Sequence, residues 1–265
     1  MGLPQELVDY TMDMLHDDIQ ALKACSLTCK AMFASARRLI HQTLYLTERN
    51  SQRILTQEEK SRCQTWEYRA VNLRFLSLMD ERGLLQYPRE VYISMYRTLT
   101  PEILQPHLRR FRSLDRVHTL TLEHSDASMW AYHHKTYFAH FYPTLTSLTL
   151  RFPISNYRTI LRFALHFPNL ENLSIESYAK QSGYDSTVPR VVIDQYPPLS
   201  GRLRLLGNDT VAQWPVEFVD ELPNGLTFRS LELLEFCRED PQHLLHACAR
   251  TLENFTFSSR EASTC

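Results

Sequence analysis

Glycine is scarce, with 6 among 265 residues, which argues against nucleotide-binding folds whose phosphate loops are built from glycine. A basic excess is missing too: 29 Lys and Arg stand against 30 Asp and Glu. The pI near 6.8 excludes a globally basic nucleic-acid footprint, which places a domain above about pI 9. Long apolar runs are absent. The longest uncharged stretch, 136–150, holds His, Pro and several hydroxyls, whereas a membrane span needs roughly 18 mainly apolar residues. Glu6, Asp9 and Asp13 stand where an export signal is basic and then apolar. Cys25, Cys29, Cys63, Cys237, Cys248 and Cys265 lack the compact even spacing of a secreted disulfide framework. The expectation is an intracellular protein, cytoplasmic or nuclear, that engages neither membrane nor nucleic acid.

Catalytic signatures are missing as well. No G-x-G-x-x-G, G-x-x-x-x-G-K, G-x-S-x-G or H-E-x-x-H occurs, so no enzyme activity and no cofactor is expected. Cys237, His243, His246 and Cys248 offer soft ligands within twelve residues, but His243 and Cys248 fall on different faces of a helix. His133, His134 and His140 are separated by polar and aromatic residues. Both groups read as ordinary surface and core side chains, with no metal. Arg97, Arg109, Arg110, Arg112 and Arg116 read as a solvated face, and Tyr132, Tyr137, Phe138, Phe141 and Tyr142 as packing.

Leucine, by contrast, is abundant, at 39 residues. Leu7, Val8, Met12 and Leu15 recur at helical spacing, so residues 5–15 read as a short amphipathic helix after Pro4. Asp17 or Asp18 can cap a second helix with Ile19, Leu22 and Cys25 inside. Ser26 can cap a third, with Cys29, Met32, Phe33, Ala36 and Leu39 on one stripe. Three helices in some 40 residues bury little surface alone. The unit is expected to pack on something else.

Leu3-Pro4-x-Glu6-Leu7-Val8, then Met12, Leu15, Leu22 and Cys25-Ser26-Leu27-Thr28-Cys29-Lys30, resemble an F-box, especially of the fungal, basidiomycete-like type. The resemblance implies three helices that dock, mainly through apolar contacts, on the Skp adaptor subunit of a cullin–RING ubiquitin ligase. It assigns adaptor binding to Leu3, Pro4, Leu7, Met12, Leu15, Leu22, Leu27 and Met32. Thr11, Thr28 and Met32 depart from the usual Ile, Val and Trp of that pattern.

From residue 114 an apolar-x-x-apolar-x-apolar pattern recurs. It reads Val117-Leu120-Leu122, Leu145-Leu148-Leu150, Leu170-Leu173-Ile175, Phe228-Leu231-Leu233 and Leu252-Phe255-Phe257, with Leu203-Leu205 as a partial copy. Middle positions lie 24 to 30 residues apart, the period of a strand-plus-helix repeat that buries its leucines only by stacking. Helical stretches are expected at Tyr157–His166 and Pro241–Arg250, and, before the repeats, at Gln57–Met79 and Pro101–Phe111. Strands are expected at Leu44–Leu46 and Val91–Met95. The expected fold class is mixed α/β: a three-helix F-box (1–46), an irregular start of a solenoid (47–113), a leucine-rich-repeat-like array of short parallel strands and helices (114–257), and a polar tail (258–265). Those last residues are too polar to cover the final apolar layer, so exposed leucines and aromatics, prone to associate, are expected there.

Side chains alternate along a strand, so two outward columns follow: Thr121, Thr149, Ser174, Arg204, Glu232, Thr256 and Glu123, Arg151, Glu176, Leu206, Leu234, Ser258. Within them Glu123, Arg151, Glu176, Arg204, Leu206, Glu232 and Leu234 are candidates for contacting a protein target. The functional expectation is a non-catalytic substrate-recognition subunit of a Skp–cullin–F-box ligase. The alternative is a repeat-type interaction module whose degenerate F-box recruits no ligase.

Overall fold

A computed structural model of the chain describes residues 4–47, 70–72, 76–95, 109–124, 138–152, 163–177, 199–207, 226–236 and 242–259. The class is α/β: a parallel sheet with a few helices. Three helices open it, α1 (Gln5–Asp13), α2 (Ile19–Ser26) and α3 (Lys30–Ile40). The Asp18 side chain accepts from the Ala21 N–H at 2.9 Å and caps α2. Arg37 and Arg38 close α3 at the negative pole of its dipole. Val8, Met12, Leu22, Ala36 and Leu39 form a small core between the three.

Two expectations for this unit are corrected. Ser26 does not cap α3; it ends α2, donating its hydroxyl to the Lys23 carbonyl at 2.6 Å, and Cys29 takes the N-cap position without a side-chain bond. Phe33 is exposed rather than inside. There the Arg37 guanidinium lies over its ring, 5.5 Å from the centroid, a cation–π contact made on the outer surface.

Nine strands follow among the described residues: β1 (Thr43–Thr47), β2 (Ala70–Asn72), β3 (Glu90–Met95), β4 (Thr119–His124), β5 (Ser147–Phe152), β6 (Asn172–Ser177), β7 (Ser200–Gly207), β8 (Thr227–Phe236) and β9 (Asn254–Ser259). Among the described residues they make one sheet, ordered β2-β1-β3-β4-β5-β6-β7-β8-β9. Every neighbouring pair is parallel. β1 therefore joins the sheet from inside the 1–46 segment, and β9 runs past residue 257. β2 lies within the stretch Gln57–Met79 expected to be helical, of which residues 57–69 and 73–75 lie outside the described residues; among those described, α4 (Leu76–Glu81) is the helix there. Of the helix expected at Pro101–Phe111, residues 101–108 lie outside the described residues, and Arg109–Ser113 is a 3₁₀ turn. Pro241–Arg250 contains α5 (Gln242–Cys248) as expected.

The stacking rule is visible in the backbone ahead of each strand. The Gln42 carbonyl accepts from the N–H groups of Arg89 and Glu90, that of Arg89 from His118 and Thr119, and that of His118 from Thr146 and Ser147. The Thr146 carbonyl then accepts from Glu171 and Asn172. Each unit thus satisfies the donors of the next, which fixes register.

Register brings two leucine-type columns onto one face. Leu44, Val91, Leu120, Leu148, Leu173, Leu203 and Leu231 form the first; Leu46, Ile93, Leu122, Leu150, Ile175, Leu205 and Leu233 form the second. All are buried, and each such side chain contributes about 1.5–3 kcal/mol by leaving water. Phe111, Phe138, Phe141, Phe163 and Phe167 pack behind them in the same core. Their rings meet in sequence, with Phe138–Phe163 centroids 5.7 Å apart and Phe163–Phe167 5.2 Å apart. In β9 the columns continue as Phe255 and Phe257, 44% and 47% exposed, the exposed aromatics expected at that end.

Candidate functional site

Two surfaces carry candidate residues, one on the helical unit and one on the sheet. On α1, Val8 and Met12 face the small core, so the opposite side is left to Leu7, Tyr10 and Met14 at i, i+3 and i+7. These three are 53%, 64% and 70% exposed, and Leu27 in the α2–α3 turn is 87% exposed. Together they leave an exposed apolar stripe on a small unit. Beneath it, Asp9 accepts from the Gln5 amide at 2.9 Å and from the buried Ser35 hydroxyl of α3. Those two donors hold the Asp9 carboxyl below its ordinary pKa and fix α1 against α3.

The expected adaptor contacts divide on this geometry. Pro4, Leu7 and Leu27 are exposed, and Leu15 and Met32 are half-buried at the edge of the small core. Met12 and Leu22 are wholly buried in that core. They are corrected to supporting residues, because a side chain without accessible surface cannot touch a partner while the helices hold this arrangement. Leu3 lies outside the described residues. Tyr10 and Met14, which the sequence reading missed, join the stripe; their spacing of i+3 and i+7 from Leu7 is the signal that could have found them. The three residues that depart from the F-box pattern find local partners: Thr11 donates to the Leu7 carbonyl at 2.8 Å, and Thr28 donates to the Cys25 carbonyl at 2.7 Å with Met32 Sδ 2.9 Å away.

The polar face of the sheet has the two columns the alternation predicts, residue for residue. Thr121, Thr149, Ser174, Arg204, Glu232 and Thr256 lie in register, and so do Glu123, Arg151, Glu176, Leu206, Leu234 and Ser258. Tyr45 and Tyr92 extend the first column into β1 and β3, their rings stacked 4.5 Å apart. The Tyr92 hydroxyl donates to Glu123. Burial first, then the Glu123 charge and that bond, raise the Tyr92 pKa far above the usual range for phenols, so it stays a neutral donor. Arg151 donates Nε–H to Glu176 at 2.7 Å and stands over the Tyr92 ring, 5.7 Å from its centroid. Glu176 is buried and serves to hold Arg151; it is corrected from a contact to a supporting residue.

Farther along, Glu232 accepts from Arg202 at 3.1 Å and lies 3.7 Å from Arg204 Nε. Leu206 and Leu234 are half-buried, neither core nor fully open.

No metal-binding group of His, Cys, Asp and Glu occurs among the described residues. Cys237, His133 and His134 lie outside them, as does the His243 side chain. Cys248 is buried, which pushes its thiol pKa up to about 11 and makes it a poor ligand or nucleophile. His140 packs against Phe111 and Phe141. Among the described residues no helix is long and apolar enough to cross a membrane. No model of a known protein family, no curated protein and no solved structure matches this chain.

Proposed function

We propose that the chain is a non-catalytic substrate-recognition subunit of a Skp–cullin–F-box ubiquitin ligase. In this reading the three helices are an F-box that binds the Skp adaptor. The sheet belongs to an irregular leucine-rich-repeat-like solenoid whose polar face holds a protein target. The observation that carries the proposal is the exposed stripe of Leu7, Tyr10, Met14 and Leu27 on a three-helix unit that leads directly into β1. Such a subunit performs no chemistry; it raises the target's effective concentration beside the ubiquitin-charged enzyme.

The test is co-expression with a Skp adaptor, followed by pull-down. Leu7→Asp places an unpaired charge in a desolvated contact. It is expected to weaken adaptor binding at least about 30-fold, equivalent to ~2 kcal/mol. Leu7 is half exposed, so the fold itself is expected to survive. Undiminished adaptor recovery with Leu7→Asp counts against the proposal.

A second reading, an interaction module that recruits no ligase, is favoured by one specific observation. Thr28 and Met32 engage each other where the F-box pattern presents Val and Trp. Absence of adaptor from the wild-type pull-down selects this reading.

A further inference from the structure

The two halves of the sheet's polar face differ in how fully their groups satisfy one another. From β3 to β6 the charged side chains and Tyr92 are committed: Tyr92 donates to Glu123, and Arg151 pairs with Glu176 while covering the Tyr92 ring. At β7 and β8 two arginines, Arg202 and Arg204, share the single carboxylate of Glu232. Among the described residues of this end, that leaves one positive charge in excess. The Arg204 Nε is enclosed with no hydrogen-bond partner, since 3.7 Å to Glu232 is too long for a hydrogen bond. The hydroxyl of Ser174, register neighbour of Arg204 on β6, is also enclosed and unbonded. The Arg204 side chain as a whole remains 44% exposed. One column farther, Leu206 and Leu234 lie in register with each other and keep part of their surface open.

We propose that this end of the face, centred on Arg204, binds an extended segment of a partner protein carrying an acidic side chain two residues from a large apolar one. The inference rests on the reading of the polar face as the target surface and deepens it. A carboxylate on the exposed guanidinium of Arg204 balances the excess charge with strong, geometrically specific hydrogen bonds. The apolar residue then covers Leu206 and Leu234. The spacing follows from strand geometry: residues i and i+2 of an extended chain share a face about 6.6–6.8 Å apart, which is the separation of Arg204 from Leu206 along β7. A basic side chain placed on Arg204 would instead add to the local positive charge.

The experiment is selection of a random dodecapeptide display library on the full chain, followed by fluorescence-polarisation binding of a selected peptide. Selected peptides are expected to be enriched in Asp or Glu two residues from Leu, Ile, Met or Phe. Arg204→Glu is expected to weaken binding at least about tenfold, and a peptide with Lys in place of the acid is expected to recover binding to that variant. Arg204→Gln, with an unchanged melting temperature as the fold check, serves if the charge reversal disturbs folding. Peptides without acidic enrichment, a library without binders, or undiminished binding to both Arg204 variants would overturn the inference. Thr149→Arg, in the same column but in the committed half, separates the two levels. Binding that falls with Thr149→Arg but not with Arg204→Glu keeps the target surface and rejects the acidic anchor. Binding altered by neither rejects both.

Discussion

His140 stands with its ring centroid 4.1 Å from that of Phe141 and 6.4 Å from that of Phe111, its Nε2 enclosed without a hydrogen-bond partner. Burial first, and the nearby Arg112 charge second, lower its pKa from 6.5 to about 4. The folded value lies below the unfolded one, so the unfolded chain takes up the proton first as pH falls. His140 therefore contributes stability that is fully present above pH 6.5 and is lost as pH falls towards about 4. Urea unfolding midpoints measured from pH 7 to pH 4 are expected to drop less for His140→Phe than for the wild type. Equal drops would assign the acid sensitivity to other groups. Nothing in the sequence distinguishes His140 from His133 or His134; only the meeting of Phe111, Phe138 and Phe141 in one core gives it this environment. The side that Met12 faces was illegible for a related reason, whereas helical spacing already put Leu22 inside on α2. Helical spacing shows that a residue lies on an apolar stripe, but α1 has two such stripes, and the packing of α2 and α3 decides which is inside.

At the scale of elements, the strands were the most legible part. Alternation within each Leu-x-Leu unit determines which side chains face the core, and the regular period determines which units become neighbours. Both outward columns could be written from the sequence because β4 to β9 stack in chain order. β2 was not legible, because it pairs on the far side of β1 and no period announces a chain that doubles back. One irregularity in β7 depends on a single glycine. Gly201 has φ +86, and a Cβ there would collide with the Glu171 backbone carbonyl, the acceptor of the Arg202 N–H at 2.6 Å. The register between β7 and β8 shifts at this point, so that Arg202 pairs with Ser230. Gly201→Ala is expected to cost about 1–3 kcal/mol for the strained backbone, and more for the collision. It is also expected to weaken any ligand held by Arg204, which β7 positions. Thermal unfolding of Gly201→Ala checks this, and an unchanged melting temperature would show the bulge to be dispensable.

At the scale of the whole molecule, the two cores seen among the described residues are joined by a short, well-tied junction. The helical core and the sheet core are separate clusters, and α3 passes into β1 through His41 and Gln42. Arg37 donates to the Arg82 carbonyl at 3.1 Å and stands 5.8 Å from the centroid of the Tyr87 ring, while His41 stacks on Tyr87. A bound target on the sheet would thus be carried at a defined position relative to the exposed stripe of α1, the geometry that a tethering subunit requires. The most direct test is a hydrogen-exchange footprint of the Skp adaptor on the full chain. Slowed amide exchange is expected in α1 and in the turn around Leu27, with β4 to β8 unchanged. Protection confined to the sheet, or none anywhere at saturating adaptor, would contradict the proposed function.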